Sequence, residues 1–128
     1  MVTDTHVFLW YALDDSRLAA PIRSKMMSNP EDVYVPSICF WEIMILVEKG
    51  RISIGSGDLA KRLNRYVKVS GFKVAPLTLE IALLSRTLVF HHDDPADRFI
   101  AATAKALNQP LATSDERLRR LEWLDLVS

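Results

Sequence analysis

A chain of 128 residues and 14.5 kDa has room for one domain; surface scaling gives roughly 7,000 Å² exposed when folded, against roughly 21,000 Å² unfolded. A hydrophobic content of 49% with 25% charged residues excludes an extended disordered chain, and a core of that size needs no metal or disulfide staple. Sixteen basic residues balance sixteen acidic ones, so net charge advertises no polyanion binder, although a basic patch beside an acidic site averages to the same zero.

The single cysteine, Cys39, has no internal disulfide partner and lies among Ile38, Phe40 and Trp41, as a small buried thiol does. The opening Met1-Val2-Thr3-Asp4 carries no basic segment followed by a cleavable apolar one, and the apolar runs fall far short of a membrane span. These features predict a soluble, cytoplasmic protein, one domain over residues 1–128, with no membrane association.

Short strand-like runs alternate with helical segments, the pattern of a parallel α/β sheet. The first strand falls within Met1–Asp4 and is followed by a helix over Thr5–Leu13. Leu18, Ile22 and Met26 recur every four residues and predict a helix over Ser16–Met27, broken by Asn29-Pro30. Val33–Val35 reads as the second strand, and Pro36-Ser37 opens an apolar helix over Ile38–Lys49, with Gly50 at the cap. Ile52-Ser53-Ile54 is an extended connection. A helix over Asp58–Val69, a strand over Phe72–Val74 and a helix over Thr78–Val89 follow. His91–Asp94 is a polar loop before an alanine-rich helix over Pro95–Leu107. Pro110–Thr113 is the fourth strand, Asp115–Leu121 a short helix, and Leu124–Val127 a final strand.

Four acids stand where acids are discouraged. Asp4 ends the first strand, and an N-cap would explain it by position alone. Glu42 has Ile38, Cys39, Ile45 and Leu46 as its helical neighbours; a carboxylate on that face is buried or lines a cleft, and needs a salt-bridge partner or a cation. Pro95 fits the first position of its helix and Asp94 the N-cap, placing Asp97 in the first turn, where the helix dipole welcomes it whatever its function. Asp115 follows the fourth strand and is also a capping candidate. In an open α/β sheet, however, ligands bind beyond the carboxyl ends of the strands, and that edge would collect all four. Their repulsion would be relieved by a divalent cation, and an oxygen-only set suits Mg²⁺ or Mn²⁺. Mg²⁺ keeps waters and phosphate among its ligands, which points to phosphate-ester chemistry.

In order and spacing, Val2-Thr3-Asp4-Thr5-His6-Val7, Ser37 with Trp41-Glu42-Ile43, His92-Asp93-Asp94-Pro95-Ala96-Asp97-Arg98-Phe99-Ile100-Ala101-Ala102 and Thr113-Ser114-Asp115 give the chain its likeness. It resembles the PIN-domain ribonucleases of the VapC type, toxins of type II (VapBC) toxin–antitoxin pairs, over essentially its whole length. The resemblance implies a three-layer α/β/α fold around a short, mostly parallel sheet. It further implies metal-dependent endoribonuclease activity on an RNA such as tRNA or rRNA, a homodimer, and a cognate VapB-type antitoxin. Carried over by position, the family's acidic centre falls on Asp4, Glu42, Asp97 and Asp115. Asp4 and Asp97 would hold Mg²⁺ (Mn²⁺ as substitute) directly. Glu42 would ligate it or position a water, and Asp115 would complete the site or hold a second ion.

Around these, Thr5, Ser37 and Ser114 are candidates to orient waters or carboxylates, with capping an equal explanation for the serines. Arg98 and Arg117 are candidate phosphate contacts. An ion pair is the plainer role for Arg98, and a solvated helix face for Arg117, Arg119 and Arg120. His6, His91 and His92 read as solvated or packing residues, and Trp10, Tyr11 and Trp123 as core or dimer contacts. Two other functions compete: a non-catalytic binding module that keeps its acids for folding or recognition, and a phosphohydrolase with Asp4 as nucleophile. The latter usually wants an acid two residues on, where His6 stands.

Overall fold

The computed structural model describes residues 1–127. Four short strands, β1 (Val2–Thr3), β2 (Tyr34–Pro36), β3 (Lys73–Ala75) and β4 (Leu111–Ala112), form one parallel sheet in the order β3-β2-β1-β4. Val2 is in register with Tyr34 on one side and Leu111 on the other. A parallel sheet is covered on both faces, which is why Val2, Thr3, Val35, Leu111 and Ala112 are all buried. Only the edge strand β3 shows exposed residues, Lys73 and Val74, and a lysine there discourages pairing with another chain.

The helices α1 (Thr5–Ala12), α2 (Ala20–Ser28), α3 (Ser37–Glu48), α4 (Leu59–Ser70), α5 (Leu79–Thr87), α6 (Pro95–Leu107) and α7 (Glu116–Arg119) complete a three-layer α/β/α sandwich. The accessible surface is 7374 Å², close to what surface scaling gives for the chain length. None of these helices is long and apolar enough to cross a membrane. α6 packs against α5, α3 and β1; its buried Ala96, Ala101, Ala102 and Ala104 let those neighbours come close, with Ile100 filling the gap. It begins at Pro95, as expected, because Asp94 caps it, and it ends because Asn108 turns left-handed at φ +52°.

Three expectations are corrected. The second helix starts at Ala20, not Ser16. A helix from Ser16 would put the Pro21 ring against the Arg17 carbonyl, whereas from Ala20 the proline sits harmlessly in the first turn. Leu18 still reaches the core, from a turn closed by its N–H on the Asp15 carbonyl at 3.2 Å. Leu124–Val127 is no strand but a single parallel bridge, Leu111 to Leu126, that covers the edge of β4. The helix predicted to reach Val89 ends at Thr87, and Leu88 is extended. The Val89 carbonyl instead accepts the Trp123 indole N–H at 2.7 Å.

The site's location follows from the strand order. From β1 the chain steps outward to β2 and β3 on one side, then returns to β4 on the other, so the order reverses between β1 and β4. Asp4 leaves β1 and Asp115 follows β4 at that switch point, the place where open α/β sheets leave a crevice.

Candidate active site

A cavity of about 400 Å³ opens there, and Asp4, Glu42, Asp97 and Asp115 all line it, with Asp94 as a fifth acid. They come from different elements. Asp4, Asp94 and Asp115 are the N-caps of α1, α6 and α7, Asp97 lies in the first turn of α6, and Glu42 is on α3. Capping and cavity lining are therefore one arrangement: each capping carboxylate is held by a backbone N–H while facing the hollow. Oδ1 of Asp4 accepts from Val7 N at 2.8 Å, that of Asp94 from Asp97 N at 3.2 Å, and that of Asp115 from Arg117 N at 2.8 Å.

Asp4 is 6% exposed, and its Oδ2 accepts the Thr113 hydroxyl. Thr113 also receives Asp115 N at 3.0 Å, so one hydroxyl ties the two acids together across the sheet end. Burial pushes the Asp4 carboxyl above the usual carboxylate range and the Asp115 charge adds to the push, against the Thr113 and Val7 hydrogen bonds. Glu42 is raised first by burial, then by Asp97 and Asp94, with Thr5 holding it down. Asp97 is likewise raised by burial, with Asp94 and Asp115 adding and the His92 hydrogen bond opposing. Asp115 is the exception: the Arg117 guanidinium holds it low.

Two basic side chains meet Asp97 on the same oxygen. His92 Nε2 lies 3.0 Å from Oδ2 and Arg117 Nη2 lies 3.5 Å from it, while Nη2 is also 3.0 Å from Asp115 Oδ2. The His92 side chain is only 10% exposed; it is a half-buried partner of the site rather than a solvated loop residue. Among the described residues no three Asp, Glu, His or Cys side chains close into a ready ligand cluster. The donor set nevertheless fits a hard divalent cation. It is all oxygen, it is partly desolvated, and it carries mutual repulsion that such a charge would relieve.

Other expected residues fall differently. Thr5 and Ser114 line the cavity, whereas Ser37, Arg98 and Arg117 are not lining residues, although Arg117 reaches the acids from its side. The Arg98 side chain is occupied elsewhere. Its Nε donates to the Ser85 carbonyl at 2.7 Å, its Nη1 lies 3.4 Å from the His92 carbonyl and from Asp93, and its guanidinium rests 4.4 Å from the Phe90 ring centre. It braces the loop that delivers His92. His6, Trp10 and Arg17 line the cavity as well. Trp10 reads in sequence as a core or contact residue, and Arg17 carries no signal of its own: Trp10 comes from α1, and Arg17 reaches the site from the turn between α1 and α2. Cys39 is buried, its Sγ 3.9 Å from the Thr3 carbonyl, and desolvation holds its thiol far above the usual range; it is inert.

Comparison with known proteins agrees with this architecture. The family model for the PIN domain matches residues 1–124. Ribonuclease VapC22 of Mycobacterium tuberculosis is 30% identical over 121 residues, covering 93% of this chain and 89% of that protein. Among solved structures, VapBC2 from Rickettsia felis bound to a promoter DNA fragment superposes with a TM-score of 0.69 at 15% identity, over 98% of this chain and 96% of the other. A toxin–antitoxin complex from Klebsiella pneumoniae gives 0.68 at 18%, over 99% and 95%, and FitAcB from Neisseria gonorrhoeae 0.66 at 20%, over 99% and 96%. At those identities the structures testify to the fold, whereas the family match and the mycobacterial relative speak for descent. The chain belongs to the PIN-domain family, as a VapC-type member.

Proposed function

We propose that this protein is a Mg²⁺- or Mn²⁺-dependent endoribonuclease, the toxin of a toxin–antitoxin pair, hydrolysing RNA phosphodiester bonds at Asp4, Glu42, Asp97 and Asp115. The observation that carries the reading is that these four acids, from remote segments, line one cavity at the switch point of the sheet. Asp4 and Asp97 would hold the cation directly, Glu42 would ligate it or position a water, and Asp115 would complete the set. When bound, the cation supplies positive charge against the phosphate and acidifies water. The chain's own part is orientation. Val7 N and Thr113 fix Asp4, and His92 holds one oxygen of Asp97. Arg117, beside Asp97 and Asp115, would be within reach of a substrate phosphate held over those acids.

The partners proposed with it are a cognate VapB-type antitoxin, in keeping with the toxin–antitoxin complexes among the structural matches, a structured RNA such as tRNA or rRNA, and a second copy of the chain. Exposed apolar side chains such as Trp41, Leu79 and Leu83 support partner surfaces of this kind. The phosphohydrolase alternative loses ground, because the cavity is lined by no lysine among the described residues.

Incubating the purified protein with structured cellular RNAs, with and without Mg²⁺ or Mn²⁺ and beside Asp4→Asn, tests the reading. Cleavage should require the cation and fall by at least about 100-fold in the variant, the scale on which transition-state charge stabilisation is lost. Cleavage that survives both chelation and the substitution overturns the mechanism. Cation binding without turnover on any RNA leaves a binding module instead.

A further inference from the structure

The acidic cavity continues past the carboxylates. Trp10, Arg17 and Ser114 line both it and a second hollow of about 250 Å³, so the two share a wall. The second hollow differs in character. Leu18 and Ile22 give it apolar walls, Ser114 gives it a hydroxyl, and Arg17 and Arg119 outnumber its one lining acid, Glu116. At the junction the Arg17 guanidinium lies 5.2 Å from the Trp10 ring centre, and the His6 ring 5.8 Å from it on a tilt. Asp15 grips Arg17 through Nε at 3.1 Å and Nη2 at 2.8 Å, which holds the guanidinium against the indole. The result is a ledge of one aromatic ring and one planar cation between an acidic hollow and a basic one.

We propose that this ledge and the second hollow form a nucleobase subsite. With the phosphodiester to be cut over the carboxylates, the base of a neighbouring nucleotide stacks at Trp10 and Arg17, and its backbone is drawn toward Arg17 and Arg119. The proposal rests on the ribonuclease reading and adds to it the means of gripping an unpaired strand. Unpaired bases are held by stacking on aromatic rings and guanidinium planes, with polar groups meeting the base edge. Trp10, Arg17 and the Ser114 hydroxyl supply those three elements.

The test uses full-length protein in an Asp97→Asn background with Mg²⁺, which on the ribonuclease reading binds RNA without cutting it. The probe is a labelled ten-nucleotide single-stranded RNA of mixed sequence, read by anisotropy. Adding Trp10→Ala should weaken binding about 5- to 100-fold, the range for loss of one base–aromatic stack. Trp10→Phe should stay within about threefold while losing much of the tryptophan quenching that RNA causes in the parent. Arg17→Ala should weaken binding and lower the salt dependence by about one single-strand charge, a slope change of about 0.7. Circular dichroism confirms that each variant is folded. Binding unchanged in Trp10→Ala and Arg17→Ala, or quenching intact in Trp10→Phe, overturns the subsite. If the wild type still cleaves RNA in the presence of a cation, that failure touches the subsite alone; if the wild type neither binds nor cleaves RNA, both readings fall together.

Discussion

Asp4 is at once the cap of α1 and a wall of the cavity, and its carboxylate is poorly solvated for a charge. Asp97 and Glu42 share that condition, and all three are raised by burial with neighbouring acids adding to it. The consequence for folding has a definite sign. A carboxyl raised in the folded state keeps its proton where the unfolded chain has lost it. Between the ordinary values of 3.8 for Asp or 4.5 for Glu and the raised ones, the folded state therefore holds more protons, and stability falls as pH rises through that window. The cation-free protein should melt at a higher temperature as pH is lowered from neutral toward the ordinary carboxylate range, and should lose stability again only below it, where Asp115, held low by Arg117, takes its proton. Asp4→Asn removes the charge and keeps the capping oxygen, but its amide NH2 cannot accept from the Thr113 hydroxyl, so its expected signature is a flatter pH dependence of the cation-free midpoint; thermal melts across pH check this. A pH dependence as steep as that of the wild type would mean that Asp4 contributes nothing to it. His92 acts on the same balance from the other side. His92→Phe should raise the Asp97 carboxyl further, because the opposing hydrogen bond is lost, while His92→Gln, with a donor at the same reach, should restore it. Carbon-13 NMR titration of the Asp97 side chain separates the two.

α6 carries the site's geometry at the scale of an element. Its first turn presents Asp97 and its cap presents Asp94, while its buried alanines fix how closely it approaches α5, α3 and β1. Ala101 is fully buried, so Ala101→Leu should cost about 1–3 kcal/mol through overpacking, measured by urea denaturation. Any activity should fall with it, because the whole first turn shifts. This helix is also where sequence and structure agree most closely, and for local reasons: Asp94-Pro95 writes the start and Asn108 the stop. The acids were legible by the same route. Glu42 among apolar neighbours, and Asp4 and Asp115 just past strand ends, announce a sheet-edge cavity without any knowledge of packing. Long-range placement escaped. Arg98 shares a helix with Asp97 yet turns toward Ser85 and Phe90, and nothing in its spacing distinguishes that from a turn toward substrate. Trp10 and Arg17 meet because the chain bends at Asp14, left-handed at φ +52°, and because Pro21 delays α2. Pro21, which bars a helix through Arg17, is the signal that the residues before α2 form a turn beside the cavity.

Across the whole molecule, zero net charge hides a division between a cavity lined by five acids and an adjoining hollow with two arginines. The apolar surface is also unevenly spread. Leu79 and Leu83, 76% and 58% exposed, stand one turn apart on α5 and so share a face. Trp41, 54% exposed, borders a separate apolar hollow of about 320 Å³ between α3 and α4. Monomeric proteins rarely leave contiguous apolar patches uncovered, and two separate surfaces match the two protein partners of the proposed toxin, a second copy and an antitoxin. If α5 is the face that meets the second copy, light scattering should give the wild type about twice the 14.5 kDa chain mass. Leu79→Glu with Leu83→Glu should bring it down to one chain, because carboxylates in a closed apolar contact go unpaired. Both leucines are exposed, so the fold and the cation-free melting point should hardly move in the double variant. A wild type that runs as a single chain, or a double variant that stays dimeric, would assign the α5 face to some other contact.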